Sequence, residues 1–246
     1  MQAEHDIAGT TPVPIIMGYD DSERFDSERR TSSGPFISPA ESFEYRVIKR
    51  AIDIALVSFF APIWVPLCLM LAVCVMVTSP GPIFFSHRRI GRNGAFFSMW
   101  KFRTMCNNSA EVLEHYLANH PELRAEWKLN HKLRNDPRVT PLGRFMRKSS
   151  LDELPQLWNV LTGRMSLVGP RPIVAAEAEK YGKDFAYYLA VKPGIAGLWQ
   201  ASGRSELSYV ERVQLDRRYV QEWSLIGDFK LLFHTTTKVA NSEGAY

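Results

Sequence analysis

The 246-residue chain has little cysteine, and its three cysteines are poorly placed for cross-linking. Cys68, Cys74 and Cys106 cannot build a disulfide framework and form no Cys-x-x-Cys pair for zinc, which excludes a small, stapled, secreted domain. Also missing are the phosphate-cradling Gly-x-x-x-x-Gly-Lys-Ser/Thr loop, the Gly-x-Gly-x-x-Gly fingerprint, the His-Glu-x-x-His pair and the Gly-x-Ser-x-Gly elbow. The common nucleotide-hydrolase, dehydrogenase, zincin and serine-hydrolase chemistries therefore lack support. The six histidines are scattered, and the spacings of His115, His120 and His131 do not make a metal set. No RNA- or DNA-binding signature occurs, and the positive charge is spread out, so no nucleic-acid partner is expected. The most informative absence is of charge: from Ile54 to Ser86, a run of 33 residues, there is none.

The net charge of +4 and mean hydropathy of −0.17 are averages over unlike segments. Residues 1–44 hold nine acids and three arginines, a net charge of −6. The other 202 residues carry 27 bases and 17 acids, net +10. Rich in Ser, Pro, Asp and Glu, the 1–44 segment cannot bury enough apolar surface to offset ordering, and a disordered acidic tail is expected. It has no basic region followed by an apolar core and so does not read as a signal peptide.

Residues 45–86 read as a membrane anchor. At ~1.5 Å rise per residue the uncharged run is long enough to cross a hydrocarbon core of roughly 30 Å. Pro62 and Pro66 lie near its middle and favour a break. Arg46, Lys49 and Arg50 precede it, and Arg88, Arg89 and Arg92 follow it. Two equally basic flanks suit a segment that enters and returns on one face; a kinked transmembrane helix fits the residues as well.

Residues 87–246 are polar, basic and densely patterned. The aromatic alternation of Ala95–Arg103 predicts a short strand. Residues 109–134 predict two polar helices broken at Pro121, and helical patterning returns at 174–190, 206–223 and 225–240. Leu154, Leu157, Trp158 and Leu161 form an amphipathic stripe, and Leu225, Ile226, Phe229, Leu232 and Phe233 form an apolar face suited to the core or to a membrane interface.

Three clusters can carry chemistry. In the first, Ser150 and Glu153 stand at capping-box spacing, which would place Asp152 in the first turn of the striped helix, with Arg147 and Lys148 one turn earlier. Such acids can simply complement a helix dipole. They can also divide labour, one as nucleophile on a phosphoryl group and one as an oxygen ligand for Mg²⁺. In the second, Arg171 stands between Pro170 and Pro172, which pre-orients a guanidinium toward phosphate oxygens. The third, Lys192–Arg204, combines glycines, Trp199 as a stacking face and Arg204 as a phosphate partner. Asp216, beside Arg217 and Arg218, reads by itself as an ion-paired surface acid.

Taken in order, several motifs resemble those of the bacterial sugar transferases, the monotopic polyprenyl-phosphate phosphoglycosyl transferases, over roughly residues 46–240. The motifs are Lys49-Arg50-Ala51-Ile52-Asp53, Ser79-Pro80-Gly81-Pro82, Lys101-Phe102-Arg103-Thr104-Met105, Asn135-Asp136-Pro137-Arg138, Ser150-Leu151-Asp152-Glu153-Leu154-Pro155-Gln156-Leu157-Trp158-Asn159-Val160 and Gly169-Pro170-Arg171-Pro172. An initiating transferase of the exopolysaccharide type is the nearest likeness. The resemblance implies a mostly helical α+β fold: a small cytoplasmic catalytic domain at 87–246, a re-entrant membrane helix-turn-helix at 45–86 and amphipathic interfacial helices. It places the protein at the bacterial inner (cytoplasmic) membrane. It implies transfer of a sugar-1-phosphate, a hexose in this type, from a UDP-sugar to undecaprenyl phosphate with release of UMP. By the same likeness Asp152 is the nucleophile, Glu153 binds Mg²⁺, Arg147 and Arg171 hold phosphates, and Asp216 matches a recurrent acid. The chain departs from the family at Val65-Pro66, where a Ser-Pro pair usually breaks the membrane helix. The rival expectation is a non-catalytic membrane scaffold whose basic domain binds anionic lipids; it leaves the Asp152-Glu153 pair beside Arg147 without a role.

Overall fold

A computed structural model of the chain describes residues 42–130, 133, 135–202 and 207–240. The tail up to residue 41, His131 and Arg204 lie outside the described residues. A short π-helical segment, Glu44–Ile48, leads into α1 (Lys49–Phe59) and α2 (Ala61–Thr78). There follow the strands β1 (Phe84–Ile90) and β2 (Phe96–Phe102), then α3 (Ser109–Asn119), α4 (Pro121–Asn130) and α5 (Pro141–Lys148). A 3₁₀ turn, Leu151–Glu153, precedes α6 (Gln156–Leu161). The chain continues through β3 (Ser166–Val168), α7 (Ala175–Ala178), α8 (Phe185–Ala190), β4 (Gly194–Ala196) and α9 (Leu198–Ala201), and finishes with α10 (Tyr209–Gln221) and α11 (Leu225–Ala240). The class is mostly helical α+β, as expected.

The predicted strand is β2, and its antiparallel partner is β1, with Phe84 opposite Phe102 and Ile90 opposite Phe96. A second, parallel pair joins β3 to β4. These three-residue strands are too short to show a periodicity in sequence. The two polar helices break at Pro121 as the proline requires. The 174–190 region is three pieces, because a 3₁₀ stretch from Glu179 to Asp184 with Gly182 at φ 49° separates α7 from α8.

In the apolar run the helix breaks at Phe60, not at Val65-Pro66. Pro62 occupies the first turn of α2, where its missing N–H costs nothing, while Pro66 is carried inside α2. The Trp64 indole N–H donates to the Val57 carbonyl across the break at 2.9 Å, satisfying backbone that the interruption frees. By length and composition α2 is apolar enough to cross a membrane.

Both helices nonetheless bury part of themselves against the same polar domain. Val57 of α1 packs with Phe97, Met99, Val160 and Met165. Leu71 and Val75, in the C-terminal half of α2, pack with Phe102 and Met146. Around the break the side chains face outward: Phe59 is 75% and Ile63 67% exposed. Arg103 closes the far end of α2 by donating to the carbonyls of Ser79 and Pro80.

Candidate functional site

The acidic pair sits where the anchor meets the domain. Ser150 adopts a left-handed conformation (φ 55°) and makes no side-chain cap, and the Glu153 side chain turns away to Lys101. The expected capping box is therefore absent. Asp152 lies in its own 3₁₀ turn, and α6 starts only after Pro155, whose ring suits a helix entry. Leu151 and Leu154, on either side of the pair, plug into the cluster of Leu71, Val75, Phe102 and Met146. The stripe thus divides: Leu154 serves the turn, Leu157 and Leu161 face the core, and Trp158 stands 58% exposed.

Two cations act on the pair, Lys101 and Arg147, and sequence reasoning assigned no role to the first. Lys101 of β2 places Nζ 2.6 Å from Glu153 and 3.7 Å from Asp152. Strand alternation was the available signal, but it does not say which face of β2 meets the acids. Asn159 holds α6 to that strand, donating to the Ser98 carbonyl at 2.8 Å and accepting the Trp100 N–H at 3.1 Å. Arg147, in the last turn of α5, donates from Nε to Thr104 Oγ1 at 2.9 Å. Gly143 lets α5 approach this close: a Cβ there would meet the Thr104 carbonyl oxygen at 2.1 Å. Arg103, next in line after Phe102, is spent on the Ser79–Pro80 turn.

Asp152 is 8% exposed, and burial pushes its carboxyl above the ordinary value. Lys101 and Arg147 oppose that shift, and Glu153 reinforces it. The nearest cation to this buried carboxylate, Lys101 Nζ, is 3.7 Å away, a loose pairing for a buried acid.

Arg171 and Asp216 belong to a second cluster. The guanidinium groups of Arg171 and Arg212 lie 5.4 and 5.1 Å from the centre of the Trp199 ring. Cations, rather than a base, therefore approach the stacking face expected for Trp199. Asp216 is not a surface acid. It is 2% exposed, accepts the Tyr181 hydroxyl at 2.7 Å and lies 4.0 Å from Arg212 Nε. The flanking arginines go elsewhere, Arg217 to Asp184 and Arg218 to Glu222. Burial raises the Asp216 carboxyl to about 6 against the Tyr181 hydrogen bond and the charges of Arg212 and Arg171. Arg212 also reaches Glu177 at 3.4 Å, which in turn lies 3.6 Å from Arg89. In the β1–β2 register Lys101 faces Phe85, so alternation puts Lys101, His87 and Arg89 on one face. The two clusters are thus the two ends of one sheet face.

The residues present fit Mg²⁺. Adjacent carboxylates offer hard oxygen ligands, and this ion characteristically takes one or two of them and completes its shell with water and phosphate. Among the described residues no group of three His, Cys, Asp or Glu gathers as a metal cage. Glu153, whose oxygen holds the Lys101 ammonium, is the donor that would hold such an ion in place of that cation.

One helix apolar and long enough to cross a membrane, a mostly helical basic domain, and a buried Asp152 with Glu153 beside Lys101 are the features that the relatives can be compared on. The family model described as bacterial sugar transferase matches residues 44–242, and the chain belongs to that family. It is 51% identical over 201 residues to the undecaprenyl-phosphate galactose phosphotransferase of Salmonella typhimurium, covering 82% of this chain and 42% of that protein. It is 45% identical over 224 residues to the exopolysaccharide production protein ExoY of Rhizobium meliloti, covering 89% of this chain and 99% of that protein. A UDP-glucose:undecaprenyl-phosphate glucose-1-phosphate transferase of Escherichia coli is 39% identical over 209 residues, covering 82% and 42%. The chain therefore spans about two fifths of the length of some relatives and nearly all of ExoY.

Proposed function

We propose that the protein transfers a sugar-1-phosphate from a UDP-sugar to undecaprenyl phosphate, the first step in building an exopolysaccharide. The observation that carries this reading is the buried Asp152 beside Glu153, Lys101 and Arg147, at the point where the apolar helix meets the domain. The names of the relatives support the same substrates.

In this mechanism an Asp152 carboxylate oxygen attacks the sugar-bearing phosphorus of the donor. The bond from that phosphorus to the bridging oxygen breaks, and UMP leaves with the electron pair. The phosphate of the lipid then attacks the aspartyl phospho-sugar, forming the lipid diphosphate sugar and regenerating the carboxylate. This two-step exchange gives ping-pong kinetics. Lys101 and Arg147 keep Asp152 ionised and oriented, and Arg171 holds donor phosphate from the other end of the sheet face. Arg204 is assigned to phosphate as well, on sequence alone. Glu153 would hold Mg²⁺, which, when bound, neutralises the phosphate charge that would repel a carboxylate.

The anchor in this reading is re-entrant, with the domain on the cytoplasmic face of the inner membrane. Its support is that α1 and the C-terminal half of α2 both pack on one domain while Phe59 and Ile63 at the break face outward. Cysteines introduced near residues 44 and 92 should react with impermeant label from the same side; labelling from opposite sides would discard the hairpin.

The catalytic test is release of UMP by purified protein supplied with UDP-sugar, undecaprenyl phosphate and Mg²⁺. A donor panel of UDP-galactose and UDP-glucose identifies the sugar. Asp152→Asn should abolish release while membrane association persists; unchanged turnover would remove Asp152 as the nucleophile.

A further inference from the structure

Two adjoining recesses at the N-terminal end of α1 take no part in this chemistry. They lie by the end of α6 remote from Asp152: Arg50 donates to the carbonyls of Val160 and Leu161 at 2.5 and 2.7 Å, whereas Asp152 precedes the first turn. The first recess is lined by five cations, Arg46, Lys49, Arg50, Arg92 and Lys192, with Asp53 as its acid. Lys49 is neutralised by Asp228, at 2.5 Å. Asp53 is engaged by Ser166 Oγ at 2.7 Å and the Leu167 N–H at 3.2 Å. Among the described residues Arg46, Arg92 and Lys192 have no carboxylate within ion-pair distance.

These charges crowd one another. A Cβ on Gly163 would lie 3.5 Å from Arg50 Nη2 and 3.6 Å from Lys192 Nζ. Burial, then Arg50 and Arg92, push the Lys192 ammonium below its usual value. Tyr45, 4% exposed, lines the same recess, and its hydroxyl lies beside the Lys192 backbone and bonds no side chain. Five cations against the one acid Asp53 call for an anion with several oxygens.

The second recess shares Lys49 and Asp53 with the first and is otherwise mostly apolar, with Ile52, Leu56, Leu225 and Phe229 among its lining. Beside it Ile226 and Phe229 on α11 are 69% and 49% exposed. A free phosphate or nucleotide would use only the cationic half. A molecule joining a phosphate to a hydrocarbon chain, lying along the surface, would meet both.

We infer that the paired recesses bind one anionic membrane phospholipid, its phosphate among Arg46, Arg92 and Lys192 and its chain along Ile52, Leu56 and Phe229. This rests on the membrane-bound reading of α1 and α2 and is independent of the catalytic role of Asp152. The site makes a structural lipid the clamp between anchor and domain.

The test is native mass spectrometry of the 246-residue protein released from detergent containing phosphatidylglycerol or phosphatidylcholine, with thermal unfolding in parallel. Wild type should retain phosphatidylglycerol about tenfold more than phosphatidylcholine: both carry the phosphate, but the choline headgroup brings a further cation up to Arg46, Arg92 and Lys192. Arg92→Gln with Lys192→Gln should bring the ratio close to one, and Lys192→Arg should preserve it. Phe229→Ser should lower retention of both lipids. Asp152→Asn should keep the full preference, so failure of the catalytic assignment leaves this result readable. An unchanged ratio in the double variant overturns the site. Thermal stabilisation by inorganic phosphate or UMP equal to that by phosphatidylglycerol overturns the lipid in favour of a free anion. Should the double variant fail to fold, Arg92→Gln alone, on a half-buried turn, carries the same comparison.

Discussion

Asp152 and Asp216 are both buried acids whose carboxyls burial raises, yet their surroundings differ. Asp216 is locked by the Tyr181 hydroxyl at 2.7 Å, with Arg212 behind it. Asp152 faces a lysine at 3.7 Å and shares that lysine with its neighbour Glu153. A locked carboxylate organises the packing around it, whereas a loosely held one retains lone pairs for a reaction. The same residue type is thus firmly held at one end of the sheet face and loosely held at the other, where the proposed chemistry needs it.

The largest effect that can break this contrast is on catalysis. Asp152→Asn should lower UMP release by about 10³-fold or more, with a thermal midpoint equal to or above that of wild type. A loss of stability in place of activity would make Asp152 the structural acid. The converse change, Asp216→Leu, should destabilise the fold by about 2 kcal/mol in thermal or denaturant unfolding, because the buried Tyr181 hydroxyl loses its acceptor and Arg212 keeps only Glu177.

Protonation sharpens the contrast further. Burial raises the Asp216 carboxyl in the folded protein to about 6, above the ordinary value of 3.8. Between those values the native state binds the proton more tightly than the unfolded chain does. This contribution to stability is fully present below about pH 4 and is lost as pH rises through about pH 6. Asp216→Asn should flatten that segment of the curve of thermal midpoint against pH; an unchanged slope would assign it to another group.

Smaller effects separate support from participation. Lys101→Met should lower UMP release about tenfold, and Lys101→Arg should recover most of it. If Lys101→Met leaves release intact, the lysine only fills space beside the acids. Tyr181→Phe removes one hydrogen bond from the locked acid and should cost about 1 kcal/mol of stability, leaving UMP release within about twofold.

The candidate acids were legible because they lie side by side in the chain, with Arg147 one turn before them. Their partner Lys101 was not, since 51 residues separate it from Asp152 and only the β1–β2 ladder and Asn159 bring it there. Asp216 was misread because local sequence shows the arginines beside it on α10 and not Tyr181 on the preceding 3₁₀ stretch. The capping-box pattern at Ser150 failed for a related reason. Lys101 offers Glu153 a charged partner, which is stronger than a backbone N–H, and the turn follows that bond.

Local chemistry alone determined the uncharged run, its break near the prolines, the helix-rich class and the acidic pair, because each depends on neighbours within a few residues. Tertiary structure decided that the break falls at Phe60, that Lys101 completes the acidic site and that Asp216 is sealed inside. It also decided that Arg46, Arg92 and Lys192 converge on one recess. Those outcomes turn on contacts between segments far apart in the chain, where burial and long-range charge outweigh local preference.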